Sequence, residues 1–272
     1  MKKNFVIGVE GEVGAGKTSM CKQLINIIPN TIFIDGGLIF RGIILAIKKY
    51  KETNYNDSNT YKHNNDDDND DNKGNKKVGS TPNNFETNKS ADENAPSLDA
   101  FEIMKKLNVE FKIVNMQTVI FIDGKKINQG KIETMENSMD VSKVASKSDN
   151  NALFKFANNI IKEYNTKYNV IVSARDLVEI YPEMDLHLFV TADIEERIKR
   201  RYNQYKGKYS IEEIKNIILK RDELHNKAGF NKKCNKTVTL DLTDCKNANE
   251  SAKKALNVIK EHSLIWTINY NL

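Results

Sequence analysis

Near its start the chain carries Gly11-Glu12-Val13-Gly14-Ala15-Gly16-Lys17-Thr18, a glycine, four residues, then Gly-Lys-Thr. Glycines let a backbone bend tightly enough for successive N–H groups to converge on one anion. A helix beginning at the same point adds partial positive charge there. In such a loop Lys17 would reach the β- and γ-phosphates of a nucleoside triphosphate, and the Thr18 hydroxyl would hold Mg²⁺. Gly11, Gly14, Ala15, Gly16 and Ser19 complete the expected cradle. The chemistry needs a strand before the loop and a helix after it. The apolar run Phe5-Val6-Ile7-Gly8-Val9 supplies the first, and residues 19–28 have the character of the second.

The rest of the chain alternates in the same way. Buried strands are expected at 31–34, 169–173, 186–190 and 237–242. Helices are expected at 38–50, 100–106, 138–163 (as one or two), 194–205, 211–226 and 247–260. Residues 109–114 and 118–122 suggest a hairpin about Asn115-Met116-Gln117. Strands alternating with helices give a three-layer α/β/α domain: a parallel sheet of about five strands with helices on both faces. Residues 51–98 break the pattern. They hold 12 Asn and 7 Asp, and their only large aliphatic or Phe residues are Val78, Phe85 and Leu98. Such a segment buries too little apolar surface to offset its ordering entropy, so it is expected to be a disordered surface insertion.

Charge and composition narrow the functions. The whole chain carries +5, but 51–98 has 6 Lys against 10 acidic residues, leaving about +9 on the remainder. A positive folded part suits an anionic small molecule. No basic stripe interleaved with aromatics is present, so a nucleic-acid partner is not expected. Cys21, Cys234 and Cys245 have an odd count and no metal-ligand spacing, which fits reduced thiols in a cytoplasmic protein. No apolar run is long enough to span a bilayer. A cleaved leader would cut into the glycine loop, so none is expected.

Taken in order, several segments resemble the bacterial cytidylate kinases. They are Glu10 to Thr18; Ile34-Asp35-Gly36-Gly37-Leu38-Ile39-Phe40-Arg41; Val141-Ser142-Lys143-Val144-Ala145; and Val172-Ser173-Ala174-Arg175-Asp176, where the family has Glu-Gly-Arg-Asp. Tyr181 to Leu186, Thr191 to Arg197, Lys199-Arg200-Arg201-Tyr202 and Lys220-Arg221-Asp222-Glu223 continue the likeness. It covers nearly everything except 51–98 and the last dozen residues. The resemblance implies a single nucleoside monophosphate kinase domain over 1–272, with a monophosphate-binding insert at about 45–135 and a lid at about 202–222.

It also implies roles. ATP with Mg²⁺ would be the donor, and a nucleoside monophosphate, CMP or dCMP first, the acceptor. Arg41 and Arg175 would hold the acceptor phosphate, because a guanidinium grips two oxygens at once. Asp176 and Ser142 would contact the acceptor's base or sugar. Arg197, Arg200 and Arg201 would bring lid charges to the phosphates, and Arg221 would touch the transferred group. A monomer is expected. Four positions differ from the family pattern: Gly36 stands where Ser or Thr is usual, Asn151 near an expected Arg, His225 for Asp and Ala228 for Arg. Three alternatives therefore remain open at the level of sequence: a different nucleotide acceptor, a small-metabolite acceptor, and a nucleotide-binding regulatory protein that does not turn over.

Overall fold

The structure is a computed structural model and describes residues 4–60, 100–134, 137 and 151–262. In chain order its first half comprises β1 (Val6–Gly11), α1 (Lys17–Ile27), β2 (Thr31–Asp35), α2 (Gly36–Thr60), α3 (Ala100–Lys106), β3 (Glu110–Val114), β4 (Gln117–Ile122), β5 (Lys125–Lys126) and α4 (Gln129–Ile132). The second half comprises α5 (Asn151–Asn165), β6 (Asn169–Ser173), α6 (Leu177–Ile180), β7 (Leu186–Thr191), α7 (Ile194–Tyr205), α8 (Ile211–Lys227), β8 (Thr237–Asp241) and α9 (Ala248–Glu261).

The five expected strands form a parallel array in the order β2-β6-β1-β7-β8. Their near-continuous apolar sequences follow from burial on both faces. On one face Ile7 and Val9 pack with Leu24 of α1 and Leu256 of α9. On the other, Val6, Ile34 and Val172 pack with Ile161 of α5 and Leu177 of α6. Each such side chain stabilises the fold by about 1.5–3 kcal/mol relative to exposure.

The sheet is larger than the expected five strands. The hairpin β3–β4 forms where expected and joins it: β4 runs parallel beside β2, and the sheet has eight strands among the described residues. Thr118 fixes the join, its hydroxyl accepting from the Asp35 N–H at 3.0 Å and donating to the Phe33 carbonyl at 3.2 Å. The hairpin turns on two residues, Asn115 and Met116, both left-handed (φ 51° and 61°), a geometry that matches the twist of the flanking strands. Helix α2 also runs to Thr60, ten residues into the stretch expected to be disordered. Residues 61–98, Ser142 and positions 138–150 of the helical stretch expected at 138–163 lie outside the described residues.

Beneath the glycine loop, Glu10 and His187 are both fully buried, with His187 Nε2 3.0 Å from Glu10 Oε2. The other ring nitrogen, Nδ1, lies 2.9 Å from the Thr237 hydroxyl. Removing one partner of a buried pair leaves the other uncompensated. His187→Leu is therefore expected to cost about 3–5 kcal/mol in urea unfolding. A loss under about 1 kcal/mol, the scale of an ordinary exposed pair, would show that the contact does little for the fold. Among the described residues no helix is long and apolar enough to cross a membrane.

Candidate functional site

A cavity of about 720 Å³ opens at the carboxyl ends of β1, β2 and β6, where α/β sheets place their ligands. The glycine loop forms its floor. Gly11 has φ 129°, and a Cβ there would collide with the Val190 backbone on the adjacent strand, so only glycine lets the loop leave the sheet here. Gly16, left-handed, starts α1, and no side chain caps the helix. The amides of its first turn are thus left to a ligand, and Lys17, Thr18 and Ser19 line the cavity above them.

Lys17 Nζ donates to the Gly11 carbonyl at 2.9 Å and to the Glu12 carbonyl. Burial, followed by the charges of Arg175, Arg201 and Arg221, holds its pKa well below the usual lysine value, with Asp222 opposing. Arg41, Arg175, Arg201 and Arg221 also line the cavity. They come from α2, the turn after β6, α7 and α8, so the fold gathers them from four elements. Burial lowers the pKa of Arg175 and of Arg201, and burial with Arg201, Arg175 and Arg41 pulls Arg221 down to about 9. Gathering like charges in a buried space is unfavourable without an anion between them.

Phe40, Phe154, His225 and Phe230 also line the cavity, as do Thr243 to Ala248. Arg41 lies 4.0 Å from Glu133. His225 is almost wholly buried, and burial with Arg175, Arg221 and Lys17 pushes its pKa down to about 2, so its ring is neutral. It lies 5.9 Å from the Phe230 ring. Asp35, at the end of β2, accepts from the Leu38 N–H at 2.9 Å, and its pKa is raised by burial.

Other expected residues are placed elsewhere. Arg197 does not line the cavity: Nη1 donates to the Val13 carbonyl at 3.2 Å and to the Asp222 carboxylate. Arg200 lines the cavity, but its N–H groups go to the carbonyls of Ala15 (3.0 Å), Leu242 (2.7 Å) and Cys245 (3.0 Å). Asp176 adopts a left-handed conformation at φ 58° and faces Lys232 at 3.7 Å rather than the cavity. Gly36 has a packing cause. A Cβ there would sit 2.7 Å from the Ala174 Cβ and 3.0 Å from the Ser173 carbonyl, so a serine has no room while residue 174 carries a methyl. Ala228 ends α8 outside the cavity wall. Phe154 and Phe230 went unnoticed in the sequence, where a lone phenylalanine gives no signal of its own.

A phosphate loop after the central strand of a parallel sheet, facing a ring of arginines, defines a P-loop phosphotransferase. The chain belongs to the cytidylate kinase family, whose sequence model matches residues 7–261. It is 27% identical to the cytidylate kinase of Clostridioides difficile over 246 residues, covering 88% of this chain and 91% of the relative. It is 27% identical to that of Phytoplasma mali, covering 94% of each. Against that of Aquifex aeolicus it is 32% identical, covering 60% of this chain and 75% of the relative.

Proposed function

We propose that the protein transfers the γ-phosphoryl group of ATP to CMP or dCMP, giving ADP and CDP or dCDP. An oxygen of the acceptor phosphate forms the new P–O bond as the bond to the ADP leaving oxygen breaks. The observation that carries this reading is the convergence of Lys17, Arg41, Arg175, Arg201 and Arg221 on one cavity above the first turn of α1. Phosphoryl transfer asks the protein for two phosphates held in line and for neutralised charge, which such a ring supplies. ATP would lie over the loop with its base toward 243–248. The acceptor phosphate would lie between Arg41 and Arg175, its base among Phe40, Phe154, Phe230 and the neutral His225. Arg201 and Arg221 would meet the group in transfer.

Thr18, at the start of α1 and on the cavity wall, offers one hydroxyl to Mg²⁺. The remaining ligands would be phosphate oxygens and water, the usual way this ion accompanies a nucleotide. When bound, it would offset phosphate charge. The acceptor-binding insert is taken as 45–135 and the lid as 202–222, which spans the end of α7 and most of α8. Closure of that lid would exclude water and limit hydrolysis of ATP. The protein is taken to act as a monomer in the cytoplasm, where its three free cysteines would stay reduced.

The test is ATP consumption with Mg²⁺ against CMP, dCMP, UMP, AMP, GMP and dTMP in parallel. Turnover confined to CMP and dCMP is the expected result. Turnover with another member alone would move the acceptor, with Gly36, Ala174 and His225 as the first positions to exchange. Silence on the whole panel, with ATP still bound, would overturn the reading.

A further inference from the structure

One loop residue is committed to the α7–α8 arm in every part. The Val13 side chain is buried with Ile198 of α7 and with Ile214 and Ile218 of α8. Its N–H donates to Asp222 Oδ1 at 3.2 Å, and its carbonyl accepts from Arg197 Nη1 at 3.2 Å. The same Arg197 nitrogen donates to Asp222 Oδ2, which closes a three-membered ring of contacts. Arg197 Nε lies 3.6 Å from Glu12 Oε2, and that oxygen accepts the Ala192 N–H at 3.1 Å. Gly14, the next loop residue, leaves only 3.2–3.4 Å between a would-be Cβ and atoms of Arg197 and Arg201, so α7 lies directly on the loop.

We propose that Asp222 is a positioning residue: through Val13 and Arg197 it latches the phosphate loop to α7 and α8, and so sets Arg221 against the donor phosphates. This rests on the phosphoryl-transfer reading of the cavity. Asp222 does not touch the ligand space itself. It follows Arg221 on α8, so whatever fixes one fixes the helical turn that carries the other. Both bonds to its carboxylate are partly shielded from water, and one is charge-assisted, the stronger kind. The latch ties the loop to the base of the arm, at Arg197 of α7 and at the α8 turn that carries Arg221, and leaves the tip of the arm to close. The arginines from that arm then meet the phosphates at a fixed distance from Lys17, which is what transfer in line requires.

Asp222→Asn tests it. The carboxylate serves Val13 with Oδ1 and Arg197 with Oδ2; asparagine replaces one of these acceptors by an NH₂, which would then face an N–H donor. Hydrogen exchange at the Val13 amide, followed by mass spectrometry, should accelerate. One ATP should still bind per chain. The kcat should fall about ten- to hundredfold, the range for losing a hydrogen bond to a charged group, with both KM values nearly unchanged. Arg197→Lys keeps the charge but loses the fork, and it should give the same pattern. The double variant should be no slower than the worse single one, because both break one latch. A merely structural Asp222 would instead reduce the ATP-binding fraction along with kcat. Unchanged Val13 exchange, unchanged kcat despite faster exchange, or a kcat loss matched by lost binding sites would each overturn the proposal. Should D222N fail to fold, Arg197→Lys decides on the same readouts. A wild type that transfers to no acceptor would sink the phosphoryl-transfer reading instead, and D222N exchange at Val13 would still judge the latch.

Discussion

Lys17→Ala should lower kcat on the order of a thousandfold, the upper range for removing one electrostatic contact to a transition state. The protein should stay folded. The ammonium rests on the Gly11 and Glu12 carbonyls, so a short swing would carry it to the phosphates. Burial and three neighbouring arginines already disfavour its charge, as its lowered pKa records. Deleting it therefore removes an unfavourable charge along with two hydrogen bonds, and the melting temperature should hold or rise. The KM for ATP should change far less than kcat, since the loop amides and the end of α1 still hold the phosphates. ATP consumption and calorimetry on the same sample check both halves. Undiminished turnover would remove the loop from the mechanism.

Much of this site could be read from local sequence, and what could not be is instructive. The glycine loop was legible because its geometry is set within eight residues. The five parallel strands were legible because burial on both faces writes a continuous apolar run. The joining of β4 to β2 was not, since it depends on a contact between Phe33 and Gln117, far apart in the chain. The length of α2 escaped a composition argument because a helix extended from a packed one needs no burial of its own, only propagation. The arginines of α7 show the limit most clearly. Arg197 and Arg201 are four residues apart and share a helix face. One turn separates a residue that serves Val13 and Asp222 from one that lines the cavity. Periodicity gives the face but not the height along the helix, and height decided the role. Asp222 was visible only as part of Lys220-Arg221-Asp222-Glu223. Its partner is a backbone amide 209 residues away, which no spacing announces.

Arg221→Met should uncouple stability from transfer. In the unfolded chain this guanidinium has the ordinary arginine pKa; in the folded site burial and Arg201, Arg175 and Arg41 pull it down to about 9. The unfolded chain therefore holds the proton more tightly. Below pH 9 the charged group opposes folding in full, and that penalty shrinks only as pH rises above about 9 toward the ordinary arginine value. At neutral pH the wild type carries all of it. Methionine fills similar space without charge, so the empty protein should melt higher, by about 2–4 °C for each kcal/mol regained. A bound nucleotide reverses the balance, because its phosphates favour the charged form. Wild type should thus gain more thermal stability from ATP than the variant does, and its affinity for ATP should weaken as pH climbs past about 9. Turnover in the variant should fall about a hundred- to a thousandfold. Calorimetry with and without ATP, beside the kinetic assay, separates the terms. A variant that melts lower when empty yet gains as much from ATP would show that Arg221 supports the fold rather than the phosphates. The expected opposite would mark it as a residue kept at a cost to stability for what it does to the ligand.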